Sequence, residues 1–427
     1  MHSRSDAQAL LELMRDERFI AIRRASDEEI LLRSDLDAFP LPRSLNADET
    51  WAILTAVRYQ TASLLSWKTY LDIGYETETW YTLTKRMALK LQLVEATCRE
   101  RSSLDQATTS LSGSMLLVRQ VEDDLEAALK MEGTSISREA IHAMFSEARQ
   151  PSSKTERLVR NFFDVLANIK KIAEHPIDPN MLDEIHNRLV LGTEGLSGKR
   201  SRVVPLYEKS EHFDQENSKR SVCQIAAGDN TDPPLHPVLR IISMAWFFRD
   251  FNPVPTWCGL VEILIRHIAL LQWGYPVLRW IPYRKLSLSY ARGETRGTRT
   301  HREVYESALN DCGFGLDATA LFSSYLDLIL AGLDDLRSIV DQTTSIIEHL
   351  EKIVSQDAEL NHRQRAILSN AFLAPDKAQK IRPHQAMFNV AYATARHDFV
   401  NLVERGYLTQ EHAGKAFAYR LNRRHLP

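Results

Sequence analysis

The chain is short of every residue type that would staple, interrupt or anchor it. Its four cysteines, Cys98, Cys223, Cys258 and Cys312, are scattered and show no C-x-x-C spacing. That excludes a disulfide-built fold and a zinc knuckle, and it fits a reducing, cytoplasmic compartment. Sixteen glycines and sixteen prolines in 427 residues are too few for a low-complexity or collagen-like chain. No apolar run reaches the ~20 residues of a bilayer span. The longest, Ile241–Phe248 and Gly259–Leu271, are short or carry Glu262, Arg266 and His267, so no membrane contact is expected. Near the N-terminus, Arg4, Asp6, Glu12, Arg15 and Asp16 stand where a signal peptide needs an apolar segment.

What is present is the composition of a globular protein, 44% hydrophobic and 26% charged, with length for two or three domains of about 150 residues. Charge is unevenly spread. Residues 361–427 hold eleven Lys and Arg against four Asp and Glu, a surplus of seven positive charges in a chain of net charge −3, so the preceding residues carry −10. An acidic body with a basic tail expects a polyanion at the tail only, or a basic face that is merely solvated.

Helical periodicity dominates, with apolar residues three and four apart through Leu83–Val94, Leu104–Met131, Arg157–Ile172 and Leu316–Val354. Asn46 with Glu49 spells a capping box, and Asp178-Pro179 opens a helix that runs to Gly192. The Leu196–Asn230 stretch, with its Val203–Tyr207 run, reads as a β-hairpin or flap. At the C-terminus, helix-forming Arg363–Phe372, Pro383–Met387 and Thr394–Arg405 precede short strand-like runs at Tyr407-Leu408 and Ala416–Leu421 around Gly414-Lys415. Three helices and a ribbon are the order of a winged helix-turn-helix. The expected domains are therefore an N-terminal helical region (1–100), a helical core with a flap near 198–230 (101–356) and a winged helix (357–427).

Several segments resemble the Fic (filamentation-induced-by-cAMP, Fic/DOC) family. Leu129–Ala140, with Glu132-Gly133, resembles its inhibitory helix, Leu182–Leu189 the helix before its flap, and Gly198-Lys199-Arg200 the Gly-x-x-Arg turn. His236–Phe248 resembles the helix that leads into the active-site motif, and Gly274-Tyr275-Pro276 with Ile281–Arg284 resembles the stretch just beyond that motif. With the tail, the likeness covers most of the chain. It implies a mainly α, bacterial, cytoplasmic protein with a Fic-like helical core, a β-hairpin flap and a C-terminal winged helix.

The family motif reads His-Pro-Phe-x-(Asp/Glu)-Gly-Asn-Gly-Arg-x-x-Arg. Its His is a general base, its acid holds the metal on the phosphates, its glycines and helix N–H groups cradle anions, and its arginines neutralise the nucleotide. Here the aligned positions are Asn252, Pro253, Val254, Pro255, Thr256, Trp257, Cys258, Gly259 and Leu260, with Ile263 at the last arginine. Asn252 cannot take a proton at neutral pH, Thr256 is at best a neutral metal ligand, Trp257 adds a ring where glycine admits phosphate, and Leu260 and Ile263 replace both guanidiniums with aliphatic groups. The expectation is a site without catalytic residues and without a cofactor, ATP and Mg²⁺ entering only if displaced residues such as Arg266, His267 or Glu132 sustain nucleotidyl transfer.

In active members the inhibitory glutamate pairs with the second motif arginine. Glu132 has only Ile263 at that position, and Ala128 replaces the family's Ser or Thr, so a solvated carboxylate or a pair with Arg266 is expected. Cys258 beside a helix N-terminus is read as a buried thiol in preference to a nucleophile, and His175, His186 and His236 as capping or packing residues.

In the tail, Val390–Leu402 resembles a recognition helix, with Ala395, Phe399, Leu402 and Val403 inward and Tyr392, Arg396 and His397 outward. Arg396 is placed for a guanine edge or phosphate, and Arg363, Arg365, Lys415 and Arg420 for the DNA backbone. A winged helix used for protein contacts is the alternative. The protein partner is open, double-stranded DNA is the expected nucleic acid, and a homodimer through the N-terminal helices is an option that the resemblance leaves.

Overall fold

The computed structural model describes residues 8, 10–70, 76–111, 115–146, 150–196, 198, 215–228, 234–291, 316–357, 359–373, 378–388, 390–413, 416–422 and 424. The fold is mainly α. In chain order the elements are α1 (Glu17–Glu28), α2 (Ala47–Tyr59), β1 (Ser63–Tyr70), β2 (Glu76–Tyr81), α3 (Lys85–Cys98), α4 (Ser103–Ser110), α5 (Met115–Met131), α6 (Arg138–Ser146) and α7 (Lys154–Ala167). They continue with α8 (Ile169–Ile172), α9 (Pro179–Val190), α10 (Gln215–Ala227), α11 (Pro237–Asp250), α12 (Cys258–Gln272) and α13 (Tyr283–Ala291). Last come β3 (Leu316–Asp317), α14 (Thr319–Gln356), α15 (His362–Leu373), α16 (Ile381–Phe388), α17 (Tyr392–Glu404), β4 (Leu408–Ala413) and β5 (Ala416–Leu421). No helix among the described residues is long and apolar enough to cross a membrane.

Two compact units emerge, one of Met1–Asp105 with Val121–Leu333 and one of Gln106–Gln120 with Asp334–Pro427. In the first, α12 is the central rod. Every residue from Gly259 to Leu270 is buried, because most of the helix is apolar, it has neighbours on every side, and its charged Glu262 and Arg266 are ion-paired. It packs against α7, α8, α9, α11 and the 3-10 turn Pro276–Trp280. Local signals set many boundaries. Asn46 accepts from Glu49 N–H while the Glu49 carboxylate accepts from Asn46 N–H, both at 2.9 Å, and Asp178 caps α9 by accepting from Met181 N–H at 2.7 Å, with Pro179 at the first helical position.

Three sequence-based expectations change. The N-terminal region is not purely helical, since β1 and β2 pair antiparallel and β3 adds a short parallel strand through Thr79↔Leu316 and Trp80↔Asp317. The start of the Leu316–Val354 helical pattern is thus a strand, held by the buried Arg58–Asp317 pair at 2.5 Å and by Trp80, which is fully enclosed. In the flap region, Gln215–Ala227 is helix α10, while the Val203–Tyr207 run that suggested a hairpin, with Lys199, Arg200, the rest of residues 201–214 and residues 229–230, lies outside the described residues.

The second unit has its own core, built from α15, α16 and α17 with the β4–β5 ribbon around Leu368, Phe372, Phe399, Leu402 and Tyr419. The Phe399 and Tyr419 rings lie 4.7 Å apart. Gln379 joins the ribbon by a two-way backbone bridge to Tyr419.

Candidate functional site

The motif positions gather at the N-terminus of α12. The chain enters this helix through two left-handed, non-glycine residues, Asn252 at φ 41° and Trp257 at φ 57°. For a residue with a β-carbon that conformation costs ~1–2 kcal/mol, and here it is held by packing, since the Trp257 side chain is 1% exposed. Leu260 and Ile263 are wholly enclosed, as aliphatic core. The Cys258 thiol donates to the Val254 carbonyl at 3.3 Å, a structural contact. Thr256, at the acid position, shares a hydrogen bond with His186 Nε2 at 3.0 Å, and burial holds the His186 imidazole below its ordinary range, so it is neutral near pH 7.

Glu132 does not stand in solvent. It is 7% exposed, and its Oε1 accepts from Gly259 N–H at 2.6 Å, which corrects the expectation of a surface carboxylate. Nor does it reach Arg266, which is already committed elsewhere. A carboxylate at a helix N-terminus meets unpaired N–H groups and the positive end of the helix dipole. Glu132 is therefore the anion of this site, supplied by the chain itself. Gly259 is essential to the approach: a β-carbon there would lie 2.8 Å from Glu132 Oε1 and 3.1 Å from Arg284 Cζ. Burial pushes the Glu132 carboxyl up to about 7, against the pull of the Gly259, Leu260 and Trp257 N–H groups and the Arg284 guanidinium.

That shift has a sign that can be tested. A carboxyl near 4.5 in the unfolded chain and about 7 in the fold adds no cost below pH 4.5 and destabilises progressively as pH rises to 7, by about 3 kcal/mol in all. Glu132→Gln keeps the acceptor and removes the titration. Denaturant unfolding at pH 5 and pH 8 should give a stability difference that is smaller in the variant by roughly that amount; equal differences in the two proteins would show that the carboxyl titrates normally.

Below the site lies a buried ionic cluster. Arg266 pairs with Asp124 at 2.5 Å and with Glu262 at 3.3 Å, and Arg284 pairs with Glu262 at 3.1 Å. The Arg284 N–H also donates to Asp124 at 2.5 Å. Arg266 stands 4.2 Å over the Tyr283 ring. One residue earlier in α5, Asp123 receives Lys285 at 2.6 Å and Arg138, and Glu122 meets His142 at 2.8 Å. This cluster locks α5, which ends next to Glu132, onto α12 and α13. Sequence reasoning gave no site role to Arg284 or Asp124 and read His186 as a capping or packing residue. The legible signal was the run Glu122-Asp123-Asp124 inside an otherwise apolar helical period, where three buried acids require partners.

The cavity bounded by Glu132, Asn252, Thr256, Trp257, Gly259 and Arg284 is about 20 Å³, the space of one water. Glu132 occupies the Gly259 N–H group, and the enclosed Leu260 and Ile263 stand where the sequence reading looked for arginines. No group of three His, Cys, Asp or Glu among the described residues is arranged to hold a metal. His236 caps α11 through Val238 N–H at 3.2 Å.

In the second unit the outward residues of α17 are dispersed in role. Tyr392, Arg396 and His397 are exposed. Arg363, however, is bound to the buried Asp398 at 2.7 Å, which His384 and Asn361 also contact, so it holds α15 to α17 and is not free for phosphate. Arg420 pairs with Glu411 at 2.9 Å across the ribbon. Arg365 is exposed, with Nε on the Leu360 carbonyl at 3.0 Å. Lys415 lies outside the described residues.

No family model matches the chain, and no curated protein matches it. Among solved structures it is similar to a Fic family protein from Desulfovibrio desulfuricans G20, at 16% identity and a TM-score of 0.43, over 80% of this chain and 97% of that one.

Proposed function

We propose that this chain is a Fic-like protein that no longer transfers nucleotides and works by binding, with the first unit recognising a protein partner and the second, read as a winged helix, engaging duplex DNA. The observation that carries the first half is the Glu132 carboxylate seated on Gly259 N–H beside a residual cavity of about 20 Å³. The rival reading, transfer by displaced residues, needs Arg266 or His267 to reach a substrate. Both are 2% exposed, and Arg266 is neutralised by two carboxylates. For the second half, Arg396 has no carboxylate partner among the described residues and stands with Tyr392 and His397 on the exposed side of α17, next to the basic surplus of the tail.

The test has two arms. Incubated with labelled ATP, Mg²⁺ and a lysate, the protein should leave the lysate and itself unlabelled; transfer that survives removal of contaminating kinases rejects the reading. In gel shifts, the full chain should bind duplex DNA with an affinity that falls steeply as salt rises. Arg396→Ala should cost about 1–3 kcal/mol on a preferred site, whereas Arg363→Ala should lower stability, because it strands Asp398. If no duplex shifts at low salt, the second unit is a protein-contact module.

A further inference from the structure

The fold sorts the residues of α17 by charge. Ala395, Asp398, Phe399 and Leu402 are buried, while Tyr392, Ala393, Thr394, Arg396 and His397 are exposed. The one acid of the first two turns is thus turned inward. Asp398 accepts from Arg363 at 2.7 Å and from Asn361 at 3.2 Å, and His384 Nε2 stands 3.4 Å from it. The next acid of the helix, the exposed Glu404, lies about 18 Å along the axis from Tyr392. A polyanion can therefore approach the N-terminal end of α17 without meeting a carboxylate of that helix.

Side-chain size decides what such an approach reads. Arg396 has no carboxylate partner among the described residues, so its guanidinium keeps the two parallel donors that match O6 and N7 of guanine. Ala393, three residues before it, shares its side of the helix and carries only a methyl group, which lets the backbone come close to a groove floor. Three residues rise about 4.5 Å, comparable with the ~3.4 Å between stacked base pairs, so the two side chains address adjoining pairs. A small apolar group at that depth distinguishes thymine by its C5-methyl. Tyr392, next in the chain, ends in a hydroxyl suited to a phosphate oxygen, which positions the helix without selecting a base.

We infer that α17 reads a guanine adjoining a thymine in duplex DNA, with Arg396 donating to guanine O6 and N7 and the Ala393 methyl packing on the thymine C5-methyl. This rests on the DNA reading of the second unit and adds the bases that it selects.

The full chain is first offered a pool of random duplexes, and the enriched site should contain a G·C pair next to a T·A pair. Two base analogues then divide the contacts at constant salt. 7-Deazaguanine removes N7 and should weaken binding by the unaltered protein about tenfold or more, while leaving the residual binding of Arg396→Ala unaffected. Uracil in place of thymine removes one methyl and should weaken binding about three- to fourfold, while leaving Ala393→Gly unaffected. If Ala393→Gly melts early, the analogues on the unaltered protein still decide. An enriched site without such a step, analogue effects within about twofold, or losses that persist in the matching variants overturn the inference and leave DNA binding itself in place. Absence of any duplex shift at low salt overturns the underlying reading and the inference with it.

Discussion

Arg266→Ala should lower the stability of the first unit by about 3–5 kcal/mol, the cost of stranding buried charge when one partner of an ion pair is removed. Arg266, Asp124 and Glu262 are 2%, 4% and 2% exposed as side chains, so water cannot replace the lost guanidinium. The loss also removes the cation over Tyr283. Urea unfolding of the first unit measures it. The combined change Arg266→Met, Arg284→Met, Asp124→Asn and Glu262→Gln should recover much of the deficit, because replacing a buried ionic group as a set, Arg284 included since it pairs with Glu262, is far cheaper than breaking it. A loss below about 1 kcal/mol for Arg266→Ala would mean that the carboxylates find other donors, Arg284 first, and that the cluster is not a unit.

Rebuilding the motif is the second large effect. Asn252→His, Thr256→Asp, Trp257→Gly, Cys258→Asn, Leu260→Arg and Ile263→Arg together should still bind ATP poorly while Glu132 occupies Gly259 N–H. Adding Glu132→Gly empties that position. Two charge-assisted contacts of roughly 1.5–3 kcal/mol each then amount to a gain of about 10²–10⁴ in affinity, from the millimolar into the micromolar range. Calorimetry with ATP decides it, and auto-modification is the accompanying readout. Stability should fall in the same protein, because positions 260 and 263 are fully enclosed and a guanidinium buried there is expensive. Micromolar ATP binding by the unaltered chain would contradict a closed site, and so would activity from Asn252→His alone, since residues that act as one catalytic unit are strongly non-additive.

By itself the sequence determined what depends on neighbours in the chain. The mainly helical content, the Asn46–Glu49 capping box and the start of α9 at Asp178-Pro179 are all local, since caps and periods are settled within a turn or two of helix. Tertiary structure alone decided where charges meet. Glu132 and Gly259 are 127 positions apart and Asp124 and Arg284 are 160 apart, and no local pattern selects such partners. The same holds for Arg363, which a basic count assigns to phosphate and the fold gives to Asp398, and for the β1–β2–β3 sheet, whose third strand comes from more than 200 residues downstream. Burial made the difference in each case: once packing removes water, a charged group must take the partner that packing brings, whatever its sequence neighbours suggest.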